Sequence, residues 1–359
     1  MPPIRPNYQG KRAEQIRSSR GAMPSDQYAG GTVSPEGYSD GVPESEKDLI
    51  RRIRRLARGG SAVVTGIGDD AAVLRIPPRH ELLVTTDFTI EKVHFRREWH
   101  PPEVVGWRCL TRGLSDIAAM GGEPQAAFLS LALGADVPQK WVEAFLKGLL
   151  ELAKEHNVPL AGGDTAQSAG GIQADIVVVG SVPTGKAVLR SRAKPGEQIY
   201  VTGELGGSAL ALDRLREGFP LGAERSRHFH PEPRVEVGRW LREHGIPSAM
   251  IDISDGLSTD LEHICEESHV GAEIEMNAIP RARVGRGKGK FAGLEYALHG
   301  GDDYELLFTS SRPVPAKVKG VPITRIGRME ASPGMRIIDA AGKITALEAR
   351  GWEHFKRGG

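Results

Sequence analysis

The side chains able to do chemistry in this sequence are mostly aspartates, and they sit in short glycine-flanked stretches spread along most of the chain. GIGDD carries Asp69 and Asp70, and TTDFTIEKVHF carries Thr85, Thr86, Asp87 and His94. GLSD carries Asp116, AGGDT carries Gly163 and Asp164, IDISDG carries Asp252, Ser254 and Asp255, and HGGDDYE carries Asp302 and Asp303. A single aspartate beside glycine is most often a turn or a cap. The repetition is what argues otherwise. Oxygen ligands without nearby cysteine or histidine suit hard cations, Mg²⁺ above all. Magnesium takes only one or two carboxylates per ion, so this many acids imply several ions, or ions bridging a polyphosphate. Glycine neighbours let the backbone come close to phosphate oxygens.

Other motifs are weaker. GSVPTGK (180–186) fits the start of a P-loop, but Ala187 stands where a magnesium-binding hydroxyl is required. Asp252 has the look of a strand-end aspartyl nucleophile, yet its second acid, Asp255, arrives in an SDG turn. His228 and His230 flank an aromatic residue in a polar stretch and read as surface groups.

These acids must be positioned by regular elements. The run LLVTT reads as a buried strand ending at Asp87, which would open onto a ligand crevice. Residues 102–120 read as a helix with Leu110, Leu114 and Ile117 on one face and Asp116 beside it. AAFLSLAL, VPLAGGDT and ADIVVVGSV read as strands, and Trp141, Phe145, Leu149 and Leu152 mark a helix between the first two. After residue 184 the pattern resets with RSRAKPGEQIYVTG. Helices are expected near 207–216, 234–244 and 257–267, with strands at AEIEMN and YELLFT and a GRGKGK loop between them. Before all of this, ESEKDLIRRIRRLAR reads as a helix capped by Ser45, its arginines a solvated face. Residues 1–44 are rich in Gly, Pro, Ser and Arg and read as a disordered extension. Three segments are therefore expected: 1–44, an N-terminal domain over 45–184 and a C-terminal α/β domain over 185–359.

Composition bounds the function. Apolar residues make up 39% and charged residues 26% of 359 positions, as in a globular protein with room for two cores. A net charge of +1 argues against a dedicated nucleic-acid binder. No apolar run nears the roughly 18–20 residues that cross a bilayer, and no secretory leader pattern opens the chain. Cys109 and Cys265 lie far apart and suit buried thiols in a reducing, cytoplasmic setting.

Taken in order, GIGDDAAVL, TTDFTIEKVHF, LSDIAAMGGEP, AGGDT, RSRAKPGEQIYVTG, IDISDGLSTDL and HGGDDYEL resemble the thiamine-monophosphate kinase family, over roughly residues 46–355. That family belongs to a superfamily with aminoimidazole ribonucleotide synthetase. The resemblance implies a two-domain α/β (α+β) fold like that synthetase, with N-terminal strands building a β-barrel across a homodimer interface. It implies magnesium ligands at Asp70, Thr85, Thr86, Asp87, Asp116, Asp164, Asp252 and Asp255. It places ATP against Gly163, Asp164, Arg190 and Ser254, and thiamine monophosphate against His94, Asp302 and Trp352. The family usually carries GGED, so Asp302 is one methylene short, and the long N-terminal extension is not a general family feature.

The implied reaction passes the γ-phosphoryl group of ATP to thiamine monophosphate. The acceptor phosphate, with a second pKa of about 6, is already mostly ionised near neutrality, so no general base is required. Repulsion is the obstacle: two groups of charge about −2, roughly 5 Å apart at an effective dielectric near 20, repel by about 13 kcal/mol. Metal ions held by Asp87 and Asp116, with Arg190, would offset that. Thiamine is a cationic aromatic, so Trp352 could stack on it and Asp302 could balance its charge; a packed C-terminal anchor is an equal reading of Trp352. A synthetase activating a carbonyl or amide oxygen, or an ATP-binding scaffold without catalysis, are the alternatives.

Overall fold

The protein is described here from a computed structural model covering residues 46–57, 59–219, 221, 225–283 and 291–354. The proposed extension over 1–44, the Ser45 cap and the GRGKGK loop lie outside the described residues. In chain order the first half contains α1 (Glu46–Leu56), β1 (Val63–Thr65), β2 (Val73–Leu74), β3 (His80–Ile90), α2 (Pro102–Ala119), β4 (Glu123–Gly134), α3 (Gln139–Glu155), β5 (Leu160–Ser168) and β6 (Gln173–Pro183). The second contains β7 (Gln198–Thr202), α4 (Gly207–Arg216), α5 (Arg225–Phe229), α6 (Val235–Glu243), β8 (Ala249–Ile253), α7 (Leu257–Ser268) and β9 (Gly271–Glu275). It ends with α8 (Leu294–His299), β10 (Glu305–Ser310), β11 (Lys317–Val318), β12 (Val321–Glu330), β13 (Met335–Ile338) and β14 (Ile344–Ala346).

Two sheets carry the fold. The first has the order β3-β6-β4-β5, and the second runs β14-β13-β9-β12-β7-β10-β8, with β11 on β12. Among the described strands β4 pairs with β5 and β9 with β13 in parallel, and the other strand pairs are antiparallel. The crevice at the carboxyl ends of parallel strands, expected from the sequence, is therefore not where the site lies. Nor does the opening strand stop at Asp87: β3 continues to Ile90, with Asp87 opposite Ile176. The β-branched and aromatic neighbours in TTDFTI favour extended backbone, and antiparallel pairing tolerates one acid whose side chain enters a polar cavity. The four-stranded sheet is open; among the described residues no closed barrel forms.

Helix α2 is buried nearly all round, a core helix rather than a surface one. It lies on the first sheet, α3 packs against it, and its far side meets α6 and β8 of the second half. One hydrophobic core therefore runs from Leu110, Leu114 and Phe145 to Met250, Leu306 and Phe308. A second core, with Ile199, Ile251, Ile253 and Leu307, lies on the other face of the large sheet under α7. Strand alternation explains the split: Ile251 and Ile253 face α7, which turns Asp252 toward α2. In the first sheet no described element covers the face away from α2, and Leu82, Val84 and Phe88 are more than half exposed.

Close approach of α2 and α3 depends on glycine. A Cβ at Gly148 would sit 1.8 Å from the Glu103 carbonyl oxygen, and at Gly113 it would sit 2.5 Å from Val178. Gly113 lets the helix settle onto β3 and β6 three residues before Asp116. We expect Gly148→Ala to cost at least about 1–3 kcal/mol in chemical denaturation, because the clash is with backbone. Unchanged stability would show that the helices can separate freely.

Candidate active site

Asp116 lies in the last turn of α2, where the helix dipole disfavours an acid. Thr85 Oγ1 donates a short hydrogen bond to its Oδ2, and the Asp87 carboxyl is within hydrogen-bond reach. Ser115, one residue earlier, points to the other sheet and donates to Asp252 Oδ2 at 2.6 Å. Successive helix residues diverge by about 100°. Ser115 and Asp116 thus serve two different sheets, and α2 brings β3 and β8 to one place.

The result is a cavity of about 730 Å³ lined from both halves by Thr86, Asp87, His94, Asp116, Asp252, Ser254, Asp255, Asp302 and Trp352, all singled out from sequence. Arg190 is exposed in the turn after β6, and its charge acts on both Asp116 and Asp252. Asp70, Gly163 and Asp164 are not among the lining residues. Asp164 is exposed on β5 and shares a row with Ser130, Asp175 and Phe88 on the open face of the sheet. Three strand spacings of about 4.8 Å separate that position from β3. Asp70 is also exposed, its N–H donating to Asp69 Oδ1 at 3.0 Å.

The HGGDDYE loop is held in an unusual conformation. Asp302 and Tyr304 both adopt positive φ, 64° and 53°, a left-handed geometry that non-glycine residues adopt at a cost. Their N–H groups donate to the Ser254 and Ile253 carbonyls, each at 2.8 Å. The Asp302 carboxylate is fully engaged: Arg108 Nη2 at 2.8 Å, Tyr304 Oη at 2.7 Å and Arg112 Nη2 at 3.2 Å all donate to it. Although burial opposes ionisation, the two guanidinium groups hold this carboxyl far below the usual range. Asp303 instead accepts the Gly206 and Ser208 N–H groups at the start of α4, a structural role. Asp260 similarly accepts from Asp255 and Gly256, shaping the SDG turn.

His94 accepts the Ile90 N–H through Nδ1 at 2.9 Å, so its proton sits on Nε2. Burial, with Arg112 close by, pushes its pKa down to about 3 and keeps the ring neutral. Trp352 is half exposed, its backbone N–H tied to the Asp255 carbonyl at 3.0 Å. His228, read from sequence as a surface group, is 1% exposed. It bonds His100 at 2.9 Å and Ser208 at 2.8 Å, because α5 folds over α2 and buries it.

Sequence reasoning missed Arg108, Arg112, Ser115 and Asp175. Arg112 and Asp116 are four apart on one helix, a spacing that could have flagged the arginine. Asp175 accepts from Thr86 Oγ1 at 2.6 Å across the strand pair; only the β3–β6 register reveals it.

Family models for AIR synthase related proteins match this chain, the N-terminal domain over 68–182 and the C-terminal domain over 194–339. Thiamine-monophosphate kinase of Salmonella typhimurium is 38% identical over 322 residues, 86% of this chain and 97% of that protein. The chain belongs to the thiamine-monophosphate kinase family. Among solved structures, thiamine-monophosphate kinase from Stenotrophomonas maltophilia matches with a TM-score of 0.72 at 35% identity, covering 82% of this chain and 96% of that one. AaThiL complexed with AMPPCP and TMP matches with a TM-score of 0.68 at 31% identity, covering 86% and 96%.

In this member of the thiamine-monophosphate kinase family the acids repel one another. Burial, then the charge of Asp116, raises Asp87 and Asp252 to about 7, and burial raises Asp116 as well. Such a set of oxygen donors, costly to ionise alone, fits a divalent cation that would take the place of the protons. Carboxylates raised in the folded state stabilise it below the unfolded value near 3.8, and that contribution is lost as pH rises toward 7. We expect Mg²⁺ to raise the melting temperature of the metal-free protein more at about pH 8 than at about pH 5.5, where protons compete. An equal shift at both values would contradict metal binding by these groups.

Proposed function

We propose that this chain transfers the γ-phosphoryl group of ATP directly to thiamine monophosphate, releasing thiamine diphosphate and ADP. The observation that carries this is the meeting of Asp87 from β3, Asp116 from α2 and Asp252 from β8 in one cavity of a chain belonging to this kinase family. AaThiL takes both AMPPCP and TMP in a related fold.

Asp87, Asp116 and Asp252 would hold Mg²⁺, with Thr86 and Asp255 at the cavity wall and Thr85 orienting Asp116. Bound magnesium supplies charge neutralisation and a template that aligns donor and acceptor oxygens. The acceptor phosphate needs no base. Arg190 and Ser254 approach the nucleotide, with Arg190 offsetting charge on the side of Asp116 and Asp252. Neutral His94 offers an Nε2 donor, and Trp352 offers an aromatic face to the thiamine ring. Asp302, already paired, acts through its arginines.

Asp70, Gly163 and Asp164 complete the metal and nucleotide site in a homodimer. Support for the dimer is the uncovered sheet face with Leu82, Val84 and Phe88, an apolar surface that a second copy would bury. The division of labour follows the boundary after residue 184, with the N-terminal domain binding metal and dimerising and the C-terminal domain completing the substrate site. No described helix is long and apolar enough to cross a membrane, and we place the reaction in the cytoplasm.

A coupled assay with ATP, Mg²⁺ and thiamine monophosphate should yield thiamine diphosphate. Release of ADP only with a purine precursor would favour the related synthetase chemistry instead. Asp87→Asn and Asp116→Asn should each lower kcat by about 10²–10³-fold without unfolding the protein; wild-type turnover in either would remove it from the metal site. Trp352→Ala should raise KM for thiamine monophosphate about tenfold and leave that for ATP unchanged. Val84→Glu with Phe88→Glu should convert the dimer to monomer in sedimentation, and a persistent dimer would place the interface elsewhere.

A further inference from the structure

We infer that Arg112 is the residue that binds the phosphate of the acceptor, and that Asp302 serves to position it rather than to balance the charge of the thiamine ring. This rests on the proposed kinase function and adds to it a recognition residue on the acceptor side.

Three donors converge on Asp302, and they are not equivalent. Arg108 is 3% exposed in its side chain and is committed on both sides, to Asp302 at 2.8 Å and to the His228 carbonyl. Tyr304 is 1% exposed and gives its hydroxyl to Oδ1 at 2.7 Å. Arg112 gives only the longest of the three bonds, 3.2 Å to the same Oδ1. Its Nε is buried with no hydrogen-bond partner, and its side chain is 13% exposed. A guanidinium has five N–H donors, and one of them is used here. Buried donors left unpaired are costly, so a ligand with several acceptor oxygens would satisfy this group.

Charge and position select the ligand. Asp302 with Arg108 and Arg112 carries one net positive charge, which suits a phosphate and opposes a thiazolium ring. Arg112 lines the cavity one helical turn before Asp116, and its charge acts on His94 and Asp87. Arg190 acts on Asp116 and Asp252 from the exposed linker turn. Two cations therefore flank the acids, a buried one near His94 and an exposed one in the linker. In-line transfer between two phosphates is served by such an arrangement, with the buried cation gripping the smaller partner. Planar, bidentate recognition of phosphate oxygens is what arginine does better than lysine.

The test compares ligands with and without the phosphate, on the full-length chain with Mg²⁺ and ATP. Arg112→Met should raise KM for thiamine monophosphate about 10- to 100-fold, the loss expected for charge-assisted bonds. KM for ATP should stay within about threefold, and so should the inhibition constant of unphosphorylated thiamine against thiamine monophosphate. Arg112→Lys should recover part of the lost affinity, and it also serves as the test if Arg112→Met does not fold. Asp302→Asn should weaken thiamine monophosphate and spare thiamine. A KM for thiamine monophosphate within threefold of wild type in the arginine variants would overturn the inference. So would an equal loss for thiamine, or a loss confined to ATP, which would put Arg112 on the donor side. Asp302→Asn weakening thiamine as much as its phosphate would make Asp302 the ring's counter-charge and overturn it too. Wild-type protein that does not phosphorylate thiamine monophosphate at all would instead sink the proposed function, a separate outcome.

Discussion

Three carboxylates, one from each sheet and one from helix α2, are pressed together out of water, and the rest of the molecule is arranged around that repulsion. Burying like charges side by side is among the most unfavourable things a fold can do. The native state accommodates it partly by raising the pKa values of Asp87 and Asp252 and partly by local donors, Thr85 to Asp116 and Ser115 to Asp252. The site is thus built for a partner of opposite charge. Its shape is maintained by packing rather than by attraction among its own members.

Helix α2 supplies that packing. It is buried on nearly all sides, lies against β3 and β6 through Gly113, and meets β8 and α6 on its other flank. Its second half delivers Arg112 and Asp116 to the cavity wall and Ser115 to Asp252, while Arg108 reaches Asp302. An acid at a helix C-terminus and two arginines one turn apart on a core helix would be liabilities in a structural element. Here they place opposite charges at set distances along a rigid rod. The strained HGGDDYE loop is the counterpart: Asp302 and Tyr304 hold left-handed backbone and bracket the arginines from the second half.

The covered and uncovered faces of the first sheet have different uses. Against α2 the sheet presents Thr85 and Asp87; on the open face it presents Val84, Phe88, Asp175 and Asp164. Because side chains alternate, one strand serves the interior site and an exterior surface at once. Asp164 and Asp175 lie on this open, partly apolar face rather than in the cavity wall.

Much of this was legible in the chain. Periodicity located α2, α3, α6 and α7 to within a few residues, because their buried faces recur at helical spacing. The glycine-flanked motifs supplied Asp116, Asp252, Asp255 and Asp302 to the cavity wall, because carboxylates beside flexible backbone have few other uses in such number. What the chain could not disclose was pairing. That Asp87 lies within β3 rather than at its end follows from the β3–β6 register, and that His228 is buried follows from α5 lying over α2. That Asp302 is occupied by Arg108 and Arg112, nearly two hundred positions away, and that Asp164 faces away from Asp116 are likewise tertiary facts. Local composition determines which residues are fit for phosphate and metal; only long-range packing decides which of them share a cavity, because side-chain charge acts through space and not along the chain.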